Sequence, residues 1–104
     1  MVSRGEIWWA APAGEKRRPY LVVMRDTAIA HLHHVIAIPA TRTVRSLPSE
    51  VELDEADGMP ERCALNADTI TQLAHTDFDE FICALPPPRM REVCTAIAVA
   101  TGCT

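Results

Sequence analysis

Apolar and polar residues alternate with a period of two over much of the chain, which is the pattern typical of half-buried β-strands. The first alternating run is Gly5–Ala10, which places Ile7 and Trp9 on one face and Trp8 on the other. We expect both tryptophans to pack against other side chains, although an interface or a stacked base is an alternative use for one of them. A second alternating run, Glu50–Asp54, predicts a further half-exposed strand with its valine and leucine inward.

Two continuous apolar runs predict more deeply buried strands. The first, Tyr20–Met24, is rich in β-branched and aromatic residues. Pro19 suits the start of this strand, because proline has no N–H to donate to a ladder. The second run, His31–Thr41, predicts a third strand, in which Pro39 marks a bulge or a sheet edge. Arginines flank both runs, and they are either solvated charges or groups that bind a ligand at the strand ends.

The second half of the chain predicts shorter strands separated by turns. Cys63–Ala67 is a strand candidate that Asp68–Leu73 continues or restarts, and Ile82–Leu85 is another short strand. The dipeptide Asp57-Gly58 marks the turn that precedes them.

Helical patterns occur in three places. Arg25–Ala30 predicts a short connector with a helical turn, and Thr76–Phe81 predicts one turn whose two phenylalanines, spaced i, i+3, face the core. Pro86–Pro88 predicts a rigid spacer. It leads into a helix over Arg89–Ala100 that Gly102 terminates. The predicted apolar stripe of this helix comprises Met90, Val93, Cys94, Ile97 and Ala98.

Several short strands followed by one helix predict a single domain over residues 1–104, built on a small, strongly bent antiparallel sheet or barrel. A length of 104 residues and a hydrophobic content of 48% are sufficient for one folded core. No apolar run approaches the roughly 20 residues that span a bilayer, so no membrane association is expected. The N-terminus lacks a secretory apolar segment, and we therefore expect a cytoplasmic protein.

The cysteines and histidines give little support for a metal site. The cysteines form no C-x-x-C pair, so we expect small, partly buried hydrophobic side chains in a reducing compartment. They are Cys63, Cys83, Cys94 and Cys103. His31 and His33 would share a face of the third strand, next to His34, but the sequence offers no third ligand nearby. We predict exposed histidines at a strand end, and no metal ion or other cofactor.

Charge is distributed unevenly along the chain. The net charge of −4 by itself argues against a nucleic-acid partner. Residues 1–48, however, contain seven basic and three acidic residues, a net charge of +4, whereas residues 49–104 contain three basic and eleven acidic residues, a net charge of −8. Two faces with different partners explain this asymmetry, and chance clustering of solvated residues is the alternative.

The strongest chemical signal is a pair of arginines before the second strand. Because a residue before proline is held in an extended conformation, Arg18 becomes a fixed cation at the mouth of a strand, beside Arg17. Such a cation binds or polarises a phosphate, unless both arginines are merely solvated. Hydroxyl groups alternate with Arg42 and Arg45 after the third strand, which suits either phosphate contacts or a solvated loop. Asp68 is a lone carboxylate for which capping, turn formation and site chemistry are all open.

In their order and spacing, these segments resemble the MazF/PemK (Kid) family of toxin endoribonucleases. The matching segments are Arg4–Trp8, Arg17–Val23, Ile36–Thr41, Pro48–Leu53 and Asp68–Thr71. Together with the final helix they cover the chain nearly end to end. Thr69 and Thr71 replace the glutamine and arginine usual in the family, which weakens the case for RNA contacts from that segment.

The resemblance implies a mainly β fold with α, an SH3-like barrel (MazF/CcdB-like) with a short helix and a C-terminal helix, and a homodimer. It also implies cleavage of single-stranded RNA at short sequences, and a cognate MazE-like antitoxin that binds across the dimer and blocks the RNA groove. Arg18 matches the family's catalytic arginine, Thr41 the catalytic threonine that closes the third strand, and Asp68 an acidic residue that not all members use chemically. The RNA-binding candidates are Arg17, Arg42, Thr43, Arg45 and Trp8, with Trp9 as the alternative to Trp8.

The chemistry implied by the resemblance needs no metal ion. The ribose 2′-OH attacks the adjacent phosphate, which gives a 2′,3′-cyclic phosphate and a 5′-OH end. We expect Arg18 to stabilise the phosphorane electrostatically, because an arginine stays charged in proteins. Thr41 donates a hydrogen bond to a phosphate oxygen. The general base and acid stay open, with Asp68 and the histidines as candidates.

Two other functions are compatible with the same scaffold, because one fold hosts unrelated activities. One is a non-enzymatic toxin that binds a protein such as DNA gyrase. The other is a non-toxic SH3-like interaction module. The arginine before proline and the strand-closing threonine favour the nuclease.

Overall fold

The computed structural model describes residues 1–104 and contains seven β-strands and two α-helices. The strands are β1 (Glu6–Ala10), β2 (Arg18–Val22), β3 (His34–Thr41), β4 (Glu50–Leu53), β5 (Cys63–Asn66), β6 (Thr71–Ala74) and β7 (Phe78–Ala84). The helices are α1 (Asp26–Ile29) and α2 (Pro87–Thr101). Short 3₁₀ turns lie at residues 55–57, 67–69 and 75–77.

All seven strands belong to one bent antiparallel sheet, in the order β4-β5-β3-β2-β1-β7, with β6 also paired to β3. β3 pairs with β2 along one edge, and with β6 and then β5 along the other. On that second edge the pairing with β6 reaches Ala37 and the pairing with β5 begins at Ala40. Pro39 falls in this gap, where a residue without an N–H is tolerated. The predicted edge or bulge at Pro39 is therefore a change of partner strand inside the sheet.

The main core lies between the bent sheet and α2. Val93 of α2 is buried in the same cluster as Ile7, Leu21 and Ile38 of the first three strands. The inward residues predicted for β4 are buried as expected, with Leu53 only 1% exposed. A second, smaller cluster packs around α1, which confirms the helical turn predicted in the connector after β2.

The helical turn predicted over Thr76–Phe81 is wrong. Residues 75–77 form a 3₁₀ turn and Phe78 begins β7. Residues three apart in a strand point to opposite faces, so the two phenylalanines separate. Phe78 packs against the core clusters, whereas Phe81 is 49% exposed and contacts Trp8 edge-on. The i, i+3 spacing was compatible with a helix, but pairing with β1 decided the conformation.

The C-terminal helix begins earlier than predicted and buries a different stripe. Pro87 and Pro88 are the first residues of α2 rather than part of a rigid spacer, since the first helical turn has no intrahelical use for their missing N–H groups. Cys94 is exposed, contrary to the prediction. The packed positions are Met90, Val93, Ala96, Ile97 and Ala100. Gly102 ends the helix with a φ of 72°, as predicted.

Two predictions about histidines and cysteines also change. β3 begins only at His34, so His31 and His33 lie in the turn before it and do not share a strand face. Cys63 is buried and Cys83 is half-buried, as expected, but Cys94 and Cys103 are exposed, and none forms a disulfide. No three potential ligands from histidine, cysteine, aspartate and glutamate are grouped as a metal site. Neither α-helix is long and apolar enough to cross a bilayer.

Candidate active site

The pairing of β2 with β3 brings Arg18 and Thr41 side by side. Tyr20 lies opposite Pro39 in this antiparallel ladder, and continuing the register outward by two residues places Arg18 opposite Thr41. On its other side Arg18 pairs with Ala10 of β1. Residues opposite each other in a ladder project from the same face. The first residue of β2 and the last of β3 therefore present a cation and a hydroxyl at one end of the sheet.

These two residues line a cleft of about 230 Å³, which we call the arginine cleft. Its polar lining residues are Lys16, Arg17, Arg18, Thr41, Arg42, Thr43 and Glu61. Its apolar lining residues are Trp9, Pro19, Ala40, Met59, Pro60 and Cys63. Four cations therefore face one carboxylate, although the chain as a whole carries a net charge of −4. This local excess of positive charge favours an anionic ligand.

Arg17 is already engaged by neighbouring groups. Its guanidinium donates to Asp79 at 2.7 and 3.1 Å and to Glu80 at 3.2 Å. Its central carbon also lies 4.7 Å from the ring centroid of Trp9, a cation–π distance. The hydrogen bonds to Asp79 raise the pKa of Arg17 and lower the pKa of Asp79. These contacts restrain Arg17 on the side of the cleft formed by β1 and β7.

Arg18 and Arg42 differ in their exposure and in their contacts with other charged groups. The Arg42 side chain is 81% exposed and its Nε lies 2.6 Å from a carboxylate oxygen of Glu61. Arg18 is half-buried and forms no ion pair or side-chain hydrogen bond. A guanidinium has five N–H donors in a planar fork that matches a phosphate. Arg18 is thus the cleft arginine whose full donor set is available to a ligand.

Thr41 is fixed by the turn that ends β3. Its Oγ1 accepts a hydrogen bond of 3.2 Å from the backbone N–H of Thr43, a local arrangement common for threonine at strand ends. Because the oxygen acts as acceptor there, the hydroxyl hydrogen is left to donate. Thr41 therefore presents a donor beside the Arg18 guanidinium.

The comparisons with known proteins identify the family. A model of PemK-like, MazF-like toxins of type II toxin–antitoxin systems matches residues 3–101. The chain belongs to this family. Among curated relatives of this MazF-like chain, the probable endoribonuclease MazF5 of Mycobacterium tuberculosis is 39% identical over 98% of this chain and 94% of its own length. The probable endoribonuclease MazF2 of the same species is 40% identical over 98% of this chain and 100% of its own length.

Solved MazF structures share the fold. A mycobacterial endoribonuclease solved in complex with its cognate antitoxin superposes with a TM-score of 0.87 at 26% identity, covering 100% of this chain and 98% of that one. The Mycobacterium tuberculosis toxin MazF-mt6 superposes with a TM-score of 0.85 at 28% identity, covering 93% and 96% of the two chains. The predicted mainly β, SH3-like barrel with a C-terminal helix is therefore confirmed.

Five of the residues predicted for the MazF-like site lie together in the arginine cleft. They are Arg17, Arg18, Thr41, Arg42 and Thr43. The position before proline suggested the two arginines, and the composition after the third strand suggested the other residues, but both patterns were also compatible with solvated side chains. The family resemblance selected them as site residues. Their proposed roles in catalysis and RNA binding stay predictions.

Three other predicted residues lie outside the arginine cleft. Asp68 lies in the 67–69 turn, where its carboxylate accepts a 2.7 Å hydrogen bond from the hydroxyl of Ser49. Arg45 is exposed beyond the end of β3 and does not line the cleft. Trp8 donates from its indole nitrogen to Glu6 at 3.0 Å. The tryptophan that lines the cleft is Trp9, the alternative weighed from the sequence.

Residues 59–61 form a part of the cleft that the sequence analysis missed. Gly58 adopts a φ of 98° at the predicted turn, and Met59 then returns to the core at 3% exposure. Pro60 and Glu61 follow at the cleft, together with Cys63. Burial raises the pKa of the Cys63 thiol to about 11, so this thiol stays neutral and unreactive at neutral pH. The only sequence signal in this region was the turn dipeptide Asp57-Gly58. It predicts a turn, but it does not predict where the residues after the turn lie.

The histidines lie elsewhere. A second groove, which we call the histidine groove, has a volume of about 480 Å³ and is lined by His31, His33 and His75 together with Trp8 and mostly apolar residues. His75 Nε2 lies 2.8 Å from the carbonyl oxygen of Leu32. No histidine lines the arginine cleft. The histidines therefore occupy no position from which they would act on a phosphate bound at Arg18.

Proposed function

We propose that this MazF-like chain is an endoribonuclease toxin that cleaves single-stranded RNA at short specific sequences. The observation that carries the proposal is Arg18, a half-buried residue whose guanidinium has no ion pair and which lines a positively charged cleft together with Thr41. The endoribonuclease relatives at 39–40% identity support it independently.

The geometry fits attack by the substrate's own ribose. The 2′-OH attacks the adjacent phosphorus, a pentacovalent phosphorane forms, and the bond to the 5′-oxygen breaks to give a 2′,3′-cyclic phosphate and a 5′-OH end. Arg18 binds two phosphate oxygens and stabilises the charge that develops on them. Thr41 donates a hydrogen bond to the same phosphate. Because the nucleophile belongs to the substrate, this route does not require a metal-activated water.

Proton transfer requires a group other than Arg18, since a guanidinium stays protonated. Glu61 is the one carboxylate that lines the cleft, and it forms an ion pair with Arg42. The proton of the 2′-OH passes to Glu61 or to solvent water. The departing 5′-oxygen takes up a proton from the protonated carboxyl group or from water to become the 5′-OH. Asp68, the acidic residue suggested by the family resemblance, reaches the reaction only if the RNA or a second subunit extends the site toward the 67–69 turn.

The partners follow from the same proposal. Two copies associate as a homodimer, and a cognate MazE-like antitoxin covers the RNA groove and inhibits cleavage. Arg17, Arg42, Thr43 and Arg45 contribute contacts to the RNA backbone and bases. The site of action is the cytoplasm. Size-exclusion chromatography with light scattering tests the dimer, and addition of the antitoxin to a cleavage assay tests inhibition.

The decisive experiment incubates the purified protein, in the presence of EDTA, with a pool of defined RNAs and maps both ends of every product. We expect cuts at one short sequence, with 5′-OH and 2′,3′-cyclic phosphate ends. DNA of the same sequence should stay intact, because it lacks the nucleophile. An Arg18→Ala protein purified in parallel excludes a contaminating nuclease.

Absence of cleavage, or products with 5′-phosphate ends, would contradict the proposal. Growth arrest on induction without any RNA cleavage would favour a toxin that binds a protein target instead.

A further inference from the structure

Trp9 is held in one orientation by its neighbours. The guanidinium of Arg17 lies over its ring at 4.7 Å from the centroid. Asp79 and Glu80 in turn hold Arg17 through contacts of 2.7 and 3.2 Å. Trp9 also lies inside β1, paired with Pro19 on one side and Glu80 on the other. A half-buried aromatic ring fixed in this way keeps its orientation without a ligand.

The fixed ring borders the arginine cleft beside the available cation. Trp9 lies opposite Pro19, which is the residue next to Arg18. Pro60, on the turn segment before β5, adds a further apolar surface to the same cleft. The cleft therefore offers a cation for an anion and apolar surface, including a flat aromatic ring, for a planar group. A nucleotide combines these two parts, a phosphate and a flat base.

We propose that Trp9 is the stacking platform for the base next to the scissile phosphate, and that Arg17 is the positioning residue that holds the ring. This inference rests on the endoribonuclease function proposed above. Stacking of a base on an aromatic ring depends little on base identity, because every base has a π-face. Trp9 therefore adds affinity at this position, while the choice of base depends on other contacts.

Trp8 provides a matched control on the same strand. Like Trp9 it is half-buried. Its indole nitrogen, however, donates to Glu6, and its ring packs edge-on against Phe81 with centroids 5.8 Å apart. It lines the histidine groove and not the arginine cleft. RNA bound at Arg18 should therefore leave the surroundings of Trp8 unchanged.

The first experiment uses the fluorescence of single tryptophans, since the chain contains two. The Trp8→Phe protein reports on Trp9 alone, and the Trp9→Phe protein reports on Trp8 alone. Each is titrated with an RNA that carries the mapped cleavage sequence and a 2′-O-methyl group at the cleaved ribose, which blocks the nucleophile. We expect the RNA to quench Trp9 emission and not Trp8 emission. Quenching of Trp8 alone, or of neither residue, would overturn the proposal.

The second experiment tests whether the Trp9 ring contacts one particular base of the RNA. Wild type and Trp9→Leu are compared for binding to this blocked RNA and to two versions that lack the base on one side or the other of the scissile phosphate. We expect Trp9→Leu to bind the intact RNA roughly 5- to 150-fold more weakly, and one of the two abasic RNAs within about 2-fold of wild type. An equal loss of affinity for all three RNAs would indicate a general structural effect and overturn the proposal.

The outcomes separate this inference from the function on which it rests. If wild type cleaves no RNA in the pool, the endoribonuclease function fails and the base contact fails with it. If wild type cleaves RNA but neither experiment links Trp9 to a base, only the base contact fails. If Trp9→Leu does not fold by circular dichroism, the fluorescence of the Trp8→Phe protein decides, because that variant keeps Trp9.

Discussion

Adjacent residues of β1 contribute one tryptophan to each of the two grooves. Trp9 lines the arginine cleft beside Arg18 and Thr41, whereas Trp8 lines the histidine groove beside His75. The histidine groove has the larger volume, about 480 Å³ against about 230 Å³. Both grooves contain titratable or charged groups. Neither volume nor composition therefore distinguishes a functional site from a groove without a function.

The difference lies in which half-buried polar groups already have a hydrogen-bond partner. In the histidine groove the indole nitrogen of Trp8 is bonded to Glu6, and His75 is bonded to the carbonyl of Leu32. In the arginine cleft Arg18 has no partner within the chain, and the Thr41 hydroxyl still has its hydrogen to donate. A guanidinium without a partner in the protein keeps all five of its donors for a ligand. The comparison therefore favours the smaller groove as the site of the proposed chemistry.

The largest expected effect is that of Arg18→Ala. Removal of the cation that stabilises the phosphorane should lower the rate of RNA cleavage by about 100- to 1,000-fold. Because the Arg18 side chain forms no contact with another charged group, the melting temperature should hardly change. The matched control is Arg91→Ala, which removes an exposed arginine from α2. Near-normal cleavage by a purified Arg18→Ala protein would contradict the assignment of the arginine cleft.

The next largest effect should come from Thr41→Val. This change keeps the side-chain shape and removes a donor to a charged phosphate, so we expect a loss of about 10-fold or more in the cleavage rate. Thr41→Ser keeps the hydroxyl and should restore most of the activity. Single-turnover kinetics separates this effect from RNA binding. Equal activity of the valine and serine variants would show that the hydroxyl is not used.

A smaller effect is expected from Asp79→Asn, which loosens Arg17. Its ion pair with Arg17 holds the pKa of Asp79 below the ordinary value of 3.8. The pair therefore stabilises the fold above that value, and its contribution is lost as the pH falls through the lower pKa of the folded state. The difference in melting temperature between wild type and Asp79→Asn should shrink on acidification. A constant difference at all pH values would contradict this account. Both side chains are about half exposed, so the effect should be small. It should appear in the KM for RNA, because Arg17 acts on binding through the Trp9 ring.

Changes in the histidine groove should affect stability and leave cleavage nearly unchanged. Trp8→Leu removes packing against Phe81 and should lower the free energy of unfolding by about 1–2 kcal/mol. Its cleavage rate, measured on folded protein, should stay within about 2-fold of wild type, because the groove contributes no group to the phosphate site. A large loss of cleavage by Trp8→Leu or His75→Ala would reverse the comparison between the two grooves.

Alkylation of the native protein with iodoacetamide at mildly alkaline pH should have the smallest effect on RNA cleavage. Cys94 and Cys103 are exposed and should react. Cys63 lines the arginine cleft but is buried, and its pKa of about 11 leaves almost no thiolate. Mass spectrometry should therefore find Cys63 unmodified and cleavage unchanged. Rapid labelling of Cys63 would show that the cleft opens more than the structure indicates.

Local pattern was sufficient for the strands that form the site. The proline after Arg18 and the apolar run behind it predicted β2, and the run that closes with Thr41 predicted the end of β3. Both signals depend on the residue itself and its sequence neighbours, through alternation and the fixed φ of proline. Prediction failed where a spacing suited two conformations. The two phenylalanines at 78 and 81 fit a helix as well as a strand, and the ladder with β1 decided.

The sequence by itself determined that a cation stands at the start of one strand and a hydroxyl at the end of another. Only the tertiary structure decided that the two line one cleft, that the 59–61 segment completes it, and that Trp9 rather than Trp8 borders it. It also decided that Arg17 is bound by Asp79 while its neighbour Arg18 stays available. These facts depend on residues up to 62 positions apart in the chain. A local pattern sets which groups a segment carries, but the long-range pairing of the sheet sets which of them remain without a partner.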